Sequence, residues 1–165
     1  MDIKEIIKTA MRSELEGREL YKSIAEKTED EKAKNIFLLM SSEEDTHFQT
    51  LQQILMHLVK KEEYNIEQIQ KKLSFDNTES PIFSKEFKNR IKDKHYEISA
   101  LSIALKLEYD SFVFYSKAEN ETEDKGLKQF FHYLSEWEKT HYDNLNKQMK
   151  FLEDDYFIQN QFSPF

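Results

Sequence analysis

The chain has 165 residues, the size of one domain around one core, and only two Gly and two Pro interrupt its capacity for long helices. It has no cysteine, which excludes disulfides, thiolate zinc sites and iron–sulfur clusters within these residues. A formal charge of −8 argues against a general nucleic-acid binder, whose footprint is a basic patch.

The N-terminal stretch MDIKEIIKTAMRSELEG is charged every few residues and has neither the apolar run nor the cleavage site of a signal peptide. No later run reaches membrane-spanning length, so a cytoplasmic location with no membrane association is expected. Apolar residues at helical spacing predict four helices, over about 2–28, 31–60, 96–122 and 126–152. Thr28, Glu29, Asp30 and Glu31 supply capping oxygens and early acidic residues for the second, and Thr122, Glu123 and Asp124 do so for the fourth. These short connections imply two antiparallel hairpins. Residues 61–95 are too many for a hairpin loop and read as a crossover along the bundle, with short helices near 65–73 and 84–93. Residues 1–152 thus form one all-α four-helix bundle. The aromatic-rich tail, 153–165, is expected to dock on the bundle or on a partner subunit.

The two hairpins are related in sequence. Aligning residues 10–51 with 104–145, an offset of 94, gives thirteen identities in 42 positions without a gap, where chance supplies about three. Ala10, Glu14, Tyr21, Phe37, Glu44, His47 and Leu51 are among those that recur, so a pseudo-twofold arrangement is predicted.

Each helix has a stripe at alternating spacings of four and three, the seam that faces a bundle core. The stripes read Ile3, Ile7, Ala10, Glu14, Gly17, Tyr21, Ile24 on the first helix and Ala33, Phe37, Met40, Glu44, His47, Leu51, Ile54, Leu58 on the second. The third has Leu101, Ala104, Glu108, Ser111, Tyr115, Ala118, and the fourth Leu127, Phe131, Leu134, Glu138, His141, Leu145. All are apolar or small except at mid-length, where each inserts a glutamate and two add a histidine three residues on. Four carboxylates in one buried layer are severely unfavourable unless cations compensate them. Two divalent ions balance four negative charges, and oxygen ligands with two imidazoles suit iron or manganese. Residues i and i+3 share a helix face, so Glu44 with His47, and Glu138 with His141, can serve one site each. The ExxH spacing alone is a common coincidence in a chain with 22 Glu. The argument rests instead on all six groups lying in core stripes, with 30 residues separating Glu14 from Glu44 and Glu108 from Glu138.

A glutamate from each of two helices plus ExxH from the other two is the ferritin-like di-metal pattern. More narrowly, AMRSELEGRELY, MSSEEDTH, ALKLEYDSFVFY and LSEWEKTH resemble the rubrerythrin family over about residues 5–152. The resemblance implies a ferritin-like bundle with two Fe ions, or Mn as the alternative, in which Glu44 and Glu138 bridge, Glu14 and Glu108 are terminal, and His47 and His141 each bind one ion. It implies a non-haem di-iron oxidoreductase that reduces peroxide or dioxygen. A ferritin-type ferroxidase and a di-manganese catalase-like protein are the alternatives, and a homodimer is expected. Rubrerythrins usually carry a rubredoxin domain, whose cysteines are missing here, so electrons are expected from an external donor such as a separate rubredoxin. They also carry a further carboxylate one turn after the third-helix glutamate. Ser111 stands at that position, which implies slower reaction with peroxide and two irons with nearly equivalent surroundings.

Tyr21 and Tyr115, seven residues after Glu14 and Glu108, lean toward the glutamates as helical side chains do, either to hydrogen-bond a ligand carboxylate or simply to fill the core. Gly17 either leaves room for a small oxidant or lets helices approach. His57, His95 and His132 lie off the stripes and are expected at the surface or in the crossover. Trp137 is one residue off its stripe and is expected to pack against a neighbouring helix.

Overall fold

The computed structural model describes residues 2–63, 65–68 and 95–159. It is an all-α, ferritin-like four-helix bundle, with helices α1 (Ile3–Lys27), α2 (Glu31–Lys60), α3 (His95–Glu121) and α4 (Lys125–Gln159). No helix among the described residues is long and apolar enough to cross a membrane.

Aspartates start α1, α2 and α4. Asp2 caps α1 by accepting from the Lys4 amide, and Asp30 caps α2 by accepting from the amides of Lys32 and Ala33. Asp124, the repeat counterpart of Asp30, accepts from the Leu127 amide at 2.9 Å at the start of α4. The turns between hairpin helices are therefore built the same way in both halves. At the other end of α2, Lys61 takes a left-handed conformation (φ 58°) that closes the helix, and Ile66 beyond it is buried against the bundle.

The stripes face inward as expected. Helix α1 packs along α2 and α3 along α4, while α1 meets α3 across the bundle. Two apolar clusters result. One contains Tyr21, Ile24, Ala33, Phe37, Met40, Leu101, Ala104 and Leu145, and the other Ile7, Ala10, Leu51, Tyr115, Ala118, Leu127, Phe131 and Leu134. The 94-residue offset converts one set into the other: Phe37 corresponds to Phe131, Met40 to Leu134 and Leu51 to Leu145. Each buried Leu, Met or Phe contributes on the order of 1.5–3 kcal/mol. These two apolar clusters hold the helices rigidly on either side of the polar layer between them.

Two expectations about extent change. Helix α4 runs to Gln159, seven residues past the predicted end, so the first half of the aromatic tail is helical; how that tail docks lies outside the described residues. In the crossover, residues 66–68 are helical, and the expected helix near 84–93 lies outside the described residues.

Candidate metal centre

Midway along the bundle the four stripes bring Glu14, Glu44, His47, Glu108, Glu138 and His141 into one layer, each at most 2 % exposed. Their ligand atoms form two overlapping groups among the described residues. Glu14, Glu44, His47 and Glu138 make one, Glu44, Glu108, Glu138 and His141 the other, with atoms in each group within 4.8 Å of one another. Glu44 and Glu138 belong to both. Each remaining glutamate pairs with the histidine of its own group: His47 Nδ1 lies 3.1 Å from Glu14 Oε2, and His141 Nδ1 lies 3.5 Å from Glu108 Oε2.

The tyrosines lock the layer across the hairpins. The Tyr21 hydroxyl donates to Glu108 Oε1, and that of Tyr115 to Glu14 Oε1. Each phenol thus reaches the glutamate of the opposite hairpin, not the one on its own helix. Burial first, and the surrounding carboxylates second, push both phenols well above their ordinary range, so both are neutral hydroxyl donors. Ser111 does not face the layer unpartnered: its hydroxyl shares a 2.7 Å hydrogen bond with Ser13 between α1 and α3. At the corresponding position of α1, a β-carbon on Gly17 would sit 3.3 Å from the Glu44 carboxylate, so glycine leaves that side chain its space.

The layer is electrostatically unbalanced on its own. Burial, then the neighbouring Glu14 and Glu108, raises Glu44 well above the usual carboxylate range; burial, then Glu44 and Glu108, does the same to Glu138. Against desolvation, which would raise it, Glu108 is held down at about 2 by hydrogen bonding with Glu138 and by His141 and Tyr21. Desolvation would lower His141, but Glu108 and Glu43 outweigh it and raise it. Buried Glu44 Oε1, Glu108 Oε2, Glu138 Oε1 and His141 Nδ1 have no hydrogen-bond partner among the described residues. Buried polar atoms left this way cost about 1–3 kcal/mol each, more when charged. Divalent cations satisfy all of these demands together, and the oxygen-rich donor set with one imidazole per group fits iron or manganese.

One residue beside the imidazoles, Glu43, escaped the sequence reading, and another, Trp137, was expected only to pack. Glu43 Oε2 lies 3.5 Å from His141 Nε2. Trp137 packs against a neighbouring helix as expected, and does so at the site: its ring stands edge-on to His47 of α2 at 5.7 Å and to His141 at 5.6 Å. The repeat had aligned Glu43 with Trp137, the sole available sign that this position matters in both halves. The off-stripe histidines stay away from the layer. His57 pairs with Glu62 and exposed His132 with Glu119, while the side chain of His95 lies outside the described residues.

A solved structure of a hypothetical protein from Pyrococcus furiosus is similar over 93 % of this chain and 92 % of its own, with 23 % identity and a TM-score of 0.64, which is a likeness of fold. No curated protein matches the chain significantly. The rubrerythrin family profile matches residues 5–149, nearly the whole bundle and every residue of the polar layer. The chain belongs to the rubrerythrin family.

Proposed function

We propose that this protein is a di-iron oxidoreductase that reduces peroxide or dioxygen, with Glu44 and Glu138 bridging two irons, Glu14 and His47 completing one position and Glu108 and His141 the other. The observation that carries the reading is the pair of overlapping four-residue groups that share Glu44 and Glu138. A single-ion site has no use for two histidines on opposite hairpins, each facing its own glutamate. When bound, a ferrous pair supplies two electrons, the number that reduces one peroxide to water.

The chain's own groups do the rest. Tyr21 and Tyr115 hold one oxygen of Glu108 and of Glu14, which leaves the second oxygen of each aimed into the layer. Because these phenols stay protonated, they orient carboxylates without adding negative charge. The apolar clusters on either side and the Trp137 ring edge-on to the imidazoles restrict the site to a small oxidant and limit bulk water. Electrons come from a donor outside these 165 residues, which hold no cysteine for a rubredoxin-type iron.

Anaerobic loading with ferrous iron, followed by rapid mixing with peroxide or with dioxygen, tests the reading. Oxidation of two irons per chain by one peroxide giving water, or by one dioxygen giving peroxide, repeated after re-reduction, is the expected result. Single-turnover oxidation followed by growth of a mineral core would make the protein a storage ferroxidase instead.

A further inference from the structure

A bulky electron donor cannot enter this layer, whose six ligand residues are each at most 2 % exposed. Its electrons must cross the protein wall, and tunnelling weakens steeply with distance, most of all across gaps that no atoms fill. Among the described residues one line of rings spans the wall. The Trp137 indole meets the imidazoles of His141 and His47 at 5.6 and 5.7 Å between centroids, so a single side chain touches a ligand of each metal position. It also meets the Tyr133 phenol, one turn earlier on α4, at 5.8 Å with the planes tilted by 36°. All three separations are those of rings in contact. Half-buried Tyr133 in turn lines a surface cleft of about 680 Å³ between the segment after α2 and the first turns of α4, together with Glu62, Glu63, Glu67 and Gln129.

Two observations set this line apart from ordinary packing. The opposite hairpin repeats the two glutamates, the histidine and the tyrosine of the layer, yet at the positions of Tyr133 and Trp137 it has Leu39, which is exposed, and Glu43. The line therefore exists in one half only and is not a by-product of building the ligand set. In addition, Trp137 Nε1 is buried with no hydrogen-bond partner among the described residues, a cost that a phenylalanine filling the same space would avoid. We propose that Tyr133 and Trp137 form the electron-entry path of the metal centre, leading from the cleft to His47 and His141. The inference rests on the two-metal reading above and adds where its electrons enter. Two molecules of a one-electron donor are each oxidised by one electron at the cleft, and the two ferric ions that receive these electrons become ferrous. No bond forms or breaks and no proton moves in the rings, which act only as the medium through which the electrons tunnel.

The test mixes the iron-loaded, ferric full chain anaerobically with reduced methyl viologen, a one-electron donor too bulky for the layer, and follows the loss of viologen colour. Tyr133→Leu should slow that step by about tenfold or more, the scale on which residues around a metal site act. Iron content, the ferric absorption spectrum and oxidation of the ferrous protein by peroxide should stay as in wild type. Tyr133→Phe, which keeps the ring, should restore the wild-type rate. Trp137→Leu should also slow viologen oxidation, and because the rings act in series the double variant should be no slower than the slower single one. If Trp137→Leu does not fold, Tyr133→Leu decides alone. A readout without turnover comes from Trp137 itself, the chain's one tryptophan: its emission should be quenched when Co²⁺ fills the metal-free layer and not when Zn²⁺ does. Equal emission with the two ions, a wild-type rate in Tyr133→Leu, or equal slowing of the peroxide step overturns the proposal and leaves the two-metal reading intact. Uptake of fewer than two irons by wild type would instead remove that reading itself.

Discussion

Filling this layer with divalent ions must displace protons, and their number follows from the carboxylate geometry. If Glu44 ionises in the metal-free protein it faces Glu14 and Glu108, with ligand atoms no more than 4.8 Å apart within each group. At an effective dielectric of about 20, each such pair costs about 3.5 kcal/mol, and the two together about 7. Retaining a carboxyl proton at pH 7 against an ordinary value of 4.5 costs only about 3.4 kcal/mol, at 1.36 per pH unit. This favours retention of the Glu44 proton, and burial with the neighbouring carboxylates raises Glu138 in the same direction. Metal binding requires both carboxylates ionised and His141 neutral at its ligating nitrogen. Protons leave from Glu44, Glu138 and His141, whose affinities for them are all raised in the metal-free layer. Calorimetric titration with Mn²⁺ at pH 7, repeated in buffers of different ionisation enthalpy, should give about one to three protons released per chain. Release of less than one proton on filling both positions would mean that the layer is already ionised without metal, and the electrostatic argument would be wrong.

The same shifts set the pH dependence of the metal-free protein. Glu44, Glu138 and His141 bind protons more tightly when folded, so their contribution is present at low pH and lost as pH rises through their raised values; Glu108, lowered to about 2, contributes above 4.5 and loses this between 4.5 and about 2. Metal-free melting temperature should peak in mild acid and fall toward pH 8, whereas the metal-loaded protein should hold level there; a flat or rising metal-free curve would contradict it. Gly17→Ala should raise metal-free stability by up to about 1 kcal/mol through helix propensity. It should also reduce the stabilisation gained from metal, because Glu44 can yield to the new methyl at 3.3 Å only while no ion holds it; equal stabilisation of both forms, seen by thermal melting, would refute this. Ser111→Glu should accelerate oxidation of the reduced protein by peroxide with metal content unchanged, since it supplies the carboxylate that rubrerythrins usually carry there. Its cost in the metal-free state exceeds the lost hydrogen bond to Ser13, about 1 kcal/mol, because it buries a further carboxyl beside the layer. An unchanged rate in stopped-flow mixing would show that this carboxylate does not limit the site.

The bundle and the six buried groups were legible because a core helix writes its inward face at spacings of three and four. A glutamate in such a stripe stands out against the cost of burying it, and Glu14, Glu44, Glu108 and Glu138 all occupy that setting. Periodicity within one helix carries no information about which helix a long side chain reaches, so Tyr21 and Tyr115 could be placed near carboxylates but not assigned to the opposite hairpin. Glu43 was missed, and Trp137 was expected to pack but not to sit beside the imidazoles, for a related reason. One residue off the stripe, a side chain is turned about 100° away from the core by its own helix. Only the approach of the neighbouring hairpin puts Glu43 beside His141 and Trp137 beside His47. The end of α4 was placed too early because the stripe was followed to its last strong apolar position, while nothing in residues 153–159 breaks a helix and the first proline downstream is Pro164.

The most direct test of the two-metal centre is anomalous diffraction at the iron edge from crystals loaded anaerobically with ferrous iron. The account predicts two peaks per chain about 3.5–4 Å apart, one between Glu14 and His47, the other between Glu108 and His141, with Glu44 and Glu138 touching both. A single peak, or iron bound anywhere outside this layer while it remains without metal, would contradict it.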